Sequence, residues 1–578
     1  MKCKKKMHSN NKRGKKENHM KKFLKHFLKF FKNKTNIILS VVIVVLTITM
    51  LFYETQKEGF NEDEMFSYGS SNYKYDNLYQ PYGPADGMNT VIFKYVLDGN
   101  WFANIVYCLF HSDVFYYLWD VEEDTNPIWK TKEDAMEYLT IQPEDIFDFA
   151  PVIWNQSRDV HPPLFYILVH IVSSFFLGQF SKYIIFIINI VFYILTCIYI
   201  FKIFKLYKKE KLGIVAVLLY GLSIGAISTV MFQRMYMMMT FFVLWYTYIC
   251  IKIVRHGMIK KLMTELSIAT ILGFLTQYYF CLFAAVIFAI LFIHLKGKRK
   301  TWIWENVKLA ILGVAIFPAC IYHIFFSYRG ITRLQENYFE RLKFYVEEMF
   351  REFSINSTIG YILLGVIAIL LIIYFIKLGK NKRTSEYAIL AFPVIIYYLI
   401  ISKTAPYLEQ RYILPTLPLI VIGVVLLASY YISKISKKKI RLAVNVIAIF
   451  AIIILQTYGL ITKEPDYLYK GYKKYIELAK EYQDYQFVYV GINGYNHIKN
   501  MPEFAIYKES LILNETQLEL LKERDIEDTF IVGIKLYLNV DEVLKEVLEY
   551  TGTNNYELVL EGRARGFDAN YYLVSKNL

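Results

Sequence analysis

Apolar stretches of membrane length recur along this chain of 578 residues, starting with Ile37–Tyr53 and ending near 441–461. Between them lie runs at about 162–178, 182–201, 213–231, 236–254, 264–280, 281–295, 308–326, 358–377, 385–402 and 412–433. Each is roughly 17 to 25 residues long, enough for a helix to cross a bilayer core. The pattern predicts an all-α polytopic membrane protein with about eleven to thirteen transmembrane helices. From about Lys463 the composition turns soluble. Asp484–Ile492, Thr529–Val540 and Tyr556–Leu560 read as strands, and Glu515–Arg524 and Val540–Tyr550 as helices. These predict a small C-terminal soluble α/β domain.

Two polar segments interrupt the apolar pattern. The longer, 54–161, carries twenty Asp/Glu against six Lys/Arg and four of the seven tryptophans (Trp101, Trp119, Trp129, Trp154). In it Ile92, Tyr95, Val96, Phe102, Val106 and Leu109 recur at three-to-four spacing, which suits short helices lying in the headgroup layer. The shorter, 327–357, repeats Leu334, Tyr338, Leu342, Val346, Met349 and Phe353 at helical spacing and predicts an interfacial helix. The chain thus divides into a basic cytoplasmic tail (1–35), a transmembrane region (36–462) and an external α/β domain (463–578).

Hydrophobic residues make up 55% and aromatics 17% of the chain, and mean hydropathy is +0.29, which excludes an ordinary soluble protein. The net charge of +15 does not point to nucleic acid, because residues 1–35 hold fourteen Lys/Arg against Glu17 alone. A basic tail before a first span marks the cytoplasmic side. The clusters Lys202–Lys211, Arg255–Lys261, Lys296–Lys300, Lys377–Arg383 and Lys434–Arg441 are expected on that side as well. One conflict remains: 54–161 is expected outside and Lys202–Lys211 inside, yet two apolar runs separate them. The six cysteines (Cys3, Cys108, Cys197, Cys250, Cys281, Cys320) form neither CxxC pairs nor a disulfide pattern.

Candidate chemistry gathers at the turns expected outside. Glu62-Asp63-Glu64 follows the first span, at the start of the long polar loop. Acids in polar loops are commonly solvated surface, but this cluster faces Gln233-Arg234-Met235-Tyr236 and Glu409-Gln410-Arg411-Tyr412. Arginine grips phosphate through its planar fork, so carboxylates and arginines meeting here suit a phosphorylated lipid; the plainer role for each Arg is snorkelling to headgroups. In Asp159-Val160-His161-Pro162-Pro163 the Asp and His, two apart in extended chain, point to one side. They suit orientation of an acceptor or a divalent metal ion, or a simple helix cap. No cofactor is demanded by the sequence; a divalent metal ion stays open.

In order and topology these stretches resemble the GT-C glycosyltransferases of family 39, relatives of protein O-mannosyltransferases and of the lipid A aminoarabinose transferase. The likeness is carried by Asp63-Glu64, Asp159-Val160-His161-Pro162-Pro163-Leu164, Gln233-Arg234-Met235-Tyr236 and Gln410-Arg411-Tyr412-Ile413-Leu414-Pro415, and spans about 36–460. It implies a GT-C-like membrane fold and transfer of a sugar from a polyprenyl-phosphate donor to a lipid, glycan or protein acceptor outside the cell membrane. By that resemblance Asp63, with Glu64 beside it, is catalytic as general base. Arg234, Tyr236, Arg411 and Tyr412 bind the lipid phosphate, and Asp159 and His161 orient the acceptor or a metal. The aminoarabinose transferase has an arginine where Phe66 stands here. The competing class is a multi-span lipid or glycolipid transporter, which predicts charges near the bilayer midplane and internal repeats.

Overall fold

The computed structural model describes residues 33–74, 106, 127–325, 337–379, 382–491, 497–562 and 568–576. Residues 1–32 of the basic tail, the interfacial periodicity of 92–109 apart from Val106, and Leu334 lie outside the described residues. Helix α1 (Lys34–Thr55, 22 residues) opens on Asn33, whose side chain accepts from the Thr35 N–H. At 1.5 Å per residue it rises about 33 Å, the thickness of a bilayer core.

Among the described residues seven helices are long and apolar enough to cross a membrane, or nine if two bent pairs each count as one span. The eleven to thirteen expected spans therefore include segments that do not cross as single straight helices. Glu210–Gly221 and Ile224–Met231 meet at a 60° bend, and Phe280–His294 and Lys296–Ile316 at 106°. The run at 162–178 holds only Leu164–Ser173, a helix of 10 residues, which rises about 15 Å. That is half a bilayer core, so a single full span (Tyr183–Leu206) separates the long polar loop from Lys202–Lys211. Hydropathy counts apolar residues; it does not see where a helix breaks.

Tyr236–His256 is the central helix, with 83% of its apolar window buried, whereas Ser357–Lys377 and Lys438–Thr462 are peripheral at 11%. Aromatic contacts seat it: Phe241 lies 5.6 Å from Phe192 on one neighbour, and Tyr246 5.6 Å from Phe280 on another. At one end of the bundle Arg255 forks onto Glu386 at 2.7 and 2.8 Å and also donates to the Leu206 carbonyl, tying three helix ends together. The site described below lies at the opposite end of the same central helix.

The C-terminal sheet has strand order β1-β3-β2-β4-β6-β5: β1 (Lys130–Thr131), β2 (Gln486–Gly491), β3 (Glu509–Asn514), β4 (Thr529–Lys535), β5 (Asn555–Leu560) and β6 (Ala569–Ser575). β2 is parallel to β3 and β4, and the remaining pairings are antiparallel. Strand alternation splits the side chains between two faces. Val488, Val490, Leu511, Phe530 and Val532 form a core with Val543, Leu544 and Val547 of the helix Val540–Thr551. Phe487, Tyr489, Ile531 and Tyr571 face the other way, into an apolar cluster continuous with that of the membrane helices. Sequence periodicity predicts neither β3 nor β6. Glu515–Arg524, read as a helix, is 3-10 over Glu515–Glu523. The sheet also crosses the boundary expected at 463, because β1 comes from the long polar loop.

Candidate active site

The acid cluster is the first turn of a helix rather than loop. Helix α2 (Glu62–Asn72) starts at Asn61, whose side chain accepts from the Asp63 and Glu64 N–H groups, while the Glu64 carboxylate accepts from the Asn61 N–H at 2.7 Å. This capping box, with three acids against the positive helix end, explains why the chain turns helical here. On the far side of α2, Gly69 leaves room for Tyr138; a Cβ there would sit 2.1 Å from its ring.

Glu64 and Asp63 have different surroundings. Glu64 is fully buried; it accepts from Lys57 at 2.9 Å and from the Gln233 N–H at 2.8 Å. Lys57, equally buried, also donates to the Tyr467 carbonyl at 2.6 Å. Burial pushes the Glu64 carboxyl up, opposed chiefly by Lys57. With both oxygens engaged, Glu64 is built to hold α2 against the turn before Tyr236–His256. Of the two adjacent acids placed in the catalytic pair, Glu64 is thus the buried and fully bonded one.

Asp63 remains 31% exposed, in contact with Arg411 and 3.9 Å from Arg234. Arg234 donates to the Asp63 backbone carbonyl at 2.9 Å and to Ser67 Oγ at 3.1 Å. Its other terminal nitrogen stands 3.4 Å from His161 Nε2, and the His161 Nδ1 is 2.7 Å from Asp159. That geometry fits a neutral imidazole with Nδ1–H donated to Asp159 and Nε2 accepting. The Arg234 guanidinium also lies 5.8 Å from the Tyr166 ring. Arg411 has Glu409 3.2 Å from its Nε, and is walled by the rings of Tyr412 at 5.3 Å and Phe232 at 6.0 Å. Tyr236 and Tyr412 are buried with ring centroids 6.3 Å apart, and Tyr236 stacks on Phe232. Their rings buttress the arginines.

Six of the eight candidate residues thus converge within side-chain reach: Asp63, Asp159, His161, Arg234, Arg411 and Tyr412. Sequence reasoning missed Lys57, Ser67, Tyr166 and Glu409 as members. Ser67, four residues after Asp63, shares its helix face, and that spacing is the one signal that pointed to it. Burial and the neighbouring Glu62 carboxylate push Glu409 up to about 7. Among the described residues, no group of three or more His, Cys, Asp or Glu is placed to hold a metal ion.

Fold and site together define a polytopic helical membrane protein with a half-open carboxylate held between two arginines at one end of its helices. Residues 160–325 match the family model described as dolichyl-phosphate-mannose-protein mannosyltransferase, in agreement with the resemblance drawn from the sequence. The matched stretch contains His161, Tyr166 and Arg234; Asp63 and Arg411 lie outside it. No curated protein matches the chain. Among solved structures it is similar to ArnT from Cupriavidus metallidurans bound to undecaprenyl phosphate, at 11% identity and a TM-score of 0.47, over 92% of this chain and 97% of that one. The apo state of ArnT from the same organism gives 10% identity and a TM-score of 0.42 over the same shares.

Proposed function

We propose that this chain is an integral-membrane glycosyltransferase that moves a sugar from a polyprenyl-phosphate donor to an acceptor at the outer face of the membrane. The observation that carries this reading is Asp63, partly exposed and held between Arg411 and Arg234 beside the membrane helices. The family model over 160–325 supports it. In the donor-free arrangement Arg411 neutralises Asp63. A donor phosphate arriving between the arginines draws Arg411 away, leaving Asp63 as a free carboxylate. Asp63 then takes the proton of the acceptor hydroxyl or amine as that atom bonds to the anomeric carbon. The bond from that carbon to the phosphate oxygen breaks, its electron pair stays on the phosphate, and both guanidiniums stabilise the charge that develops there. His161, fixed by Asp159 and Arg234, orients the acceptor.

The transporter reading fits less well, because these charge pairs sit at the two ends of the central helix, Asp63 with its arginines at one and Arg255 with Glu386 at the other. The reading is tested with purified protein and a short-chain polyprenyl-phosphate sugar. Release of polyprenyl phosphate that depends on acceptor supports it; donor that is bound or moved but never cleaved overturns it. On this reading the N-terminus is cytoplasmic and residues 463–578 are extracytoplasmic, so protease added to intact spheroplasts should remove the C-terminal region. Full protection would reverse the orientation.

A further inference from the structure

Most of the Arg234 guanidinium is already spent within the protein. One terminal nitrogen donates to the Asp63 carbonyl at 2.9 Å and to Ser67 Oγ at 3.1 Å; the other stands 3.4 Å from His161 Nε2 and 3.9 Å from the Asp63 carboxylate. What remains is the Nε–H, which is buried and has no partner among the described residues. A guanidinium N–H can only donate, so an incoming acceptor atom is what satisfies it.

Tyr166 stands beside it with the same need. Its ring centroid lies 5.8 Å from the guanidinium carbon, the residue is completely buried, and its hydroxyl has no partner among the described residues. Buried tyrosine hydroxyls ordinarily find one. The chain places it there by a simple device. Leu164 opens the 10-residue helix directly after Pro162-Pro163, and its N–H donates to the Leu275 carbonyl at 3.0 Å, which pins the helix start. Tyr166 is the third residue of that helix, and helical side chains lean back toward the N-terminus. An anion arriving there also meets the positive end of the helix.

We infer that Tyr166 is a ligand of the donor's phosphate, its hydroxyl and the Arg234 Nε–H donating together to the non-bridging oxygens, an inference that rests on the glycosyltransferase reading above. The ligand class follows from the balance of donors and acceptors. Two buried donors and a positive helix end call for a group that accepts more than once and carries negative charge, and a phosphate does both. Arg411, on the other side of Asp63, meets the same phosphate from its own side. As the sugar leaves, charge grows on the oxygens that Tyr166 touches, so its bond tightens as the reaction proceeds.

The test uses the full chain in phosphatidylcholine nanodiscs, titrated with geranyl phosphate by calorimetry against empty discs. Tyr166→Phe removes the hydroxyl and keeps the ring. It should weaken geranyl phosphate about tenfold or more, with no fall in the apparent melting temperature of the ligand-free protein, because no internal bond is lost. Geraniol, which lacks the phosphate, should not distinguish the two proteins. A second measurement needs no Phe variant: with fluorotyrosine in place of Tyr166, the fluorine resonance should move with geranyl phosphate and stay put with geraniol. A folded Tyr166→Phe that binds geranyl phosphate as tightly as the wild type, a difference that geraniol reproduces, or an unmoved resonance overturns the inference; the hydroxyl then serves packing or an ordered water. Wild-type protein that fails to bind geranyl phosphate brings down the glycosyltransferase reading and this inference together, whereas wild-type binding with an indifferent Phe variant removes this inference alone.

Discussion

On the glycosyltransferase reading, Asp63→Asn separates the two roles proposed for Asp63. In the structure its carboxylate contacts Arg411, while Arg234 is anchored on its backbone carbonyl at 2.9 Å and on Ser67 at 3.1 Å. Asparagine keeps size and leaves the backbone carbonyl untouched, so α2 and Arg234 should stay in place. What is lost is the proton acceptor, which contributes about 10²- to 10⁴-fold in a general-base step, or roughly 3–5 kcal/mol of barrier. The lost ion pair with Arg411 acts the other way on binding. That guanidinium, no longer neutralised, is freer to meet the donor phosphate; the pair is part-exposed, so the gain is about 1 kcal/mol or less. The expected result is single-turnover transfer slowed at least a hundredfold, with donor affinity equal to or slightly better than wild type. Single-turnover rates with a short-chain polyprenyl-phosphate sugar, beside equilibrium donor binding and an apparent melting temperature, measure each part. Wild-type turnover, or a loss of donor affinity large enough to account for the whole drop in rate, would refute the reasoning.

Three further outcomes follow from the same geometry. Arg234→Lys and Arg411→Lys keep the charge and lose the fork, and each should cost about ten- to a hundredfold in kcat/KM for donor; unchanged kinetics in both would make them membrane anchors. Lys57→Met strands the buried Glu64 carboxylate, so apparent stability should fall by about 3–5 kcal/mol, with recovery in the Lys57→Met/Glu64→Gln double variant; thermal unfolding of both in detergent decides, and a double variant as unstable as the sum of singles would deny the pairing. Glu409, raised to about 7, is neutral below that pH and competes for Arg411 above it. Donor affinity should decline as pH rises through about 7 in the wild type and stay flat in Glu409→Gln. The same shift means the folded state binds this proton more tightly than the unfolded chain, so the stability it contributes is full below about 4.5 and lost as pH rises through about 7. Donor binding measured across that window in both proteins checks it, and a parallel decline in the variant would remove Glu409 from the explanation.

The membrane character, the helical class and the α/β character of the C-terminal region were legible from sequence, because they depend on local quantities: the length of an apolar run and its period. The candidate residues were legible too, for a related reason. Ionised groups beside membrane spans are expensive, so an Arg or Asp at such a turn stands out without any structure. Other features were decided by distant segments. The capping box of Asn61 and Glu64 is local and was there to be read in the spacing, but Lys57 and Gln233 bury Glu64 completely while Asp63, one residue away, stays half open. The box marks Glu64 locally as the bonded carboxylate, but its complete burial also needs a partner 169 positions further on. The short helix Leu164–Ser173, the two bent pairs, and the strand Lys130–Thr131 that joins a sheet formed some 350 residues later are likewise tertiary. Hydropathy and spacing report what each segment can bury, whereas helix breaks, strand partners and the neighbours of a charge depend on which segments the fold packs together.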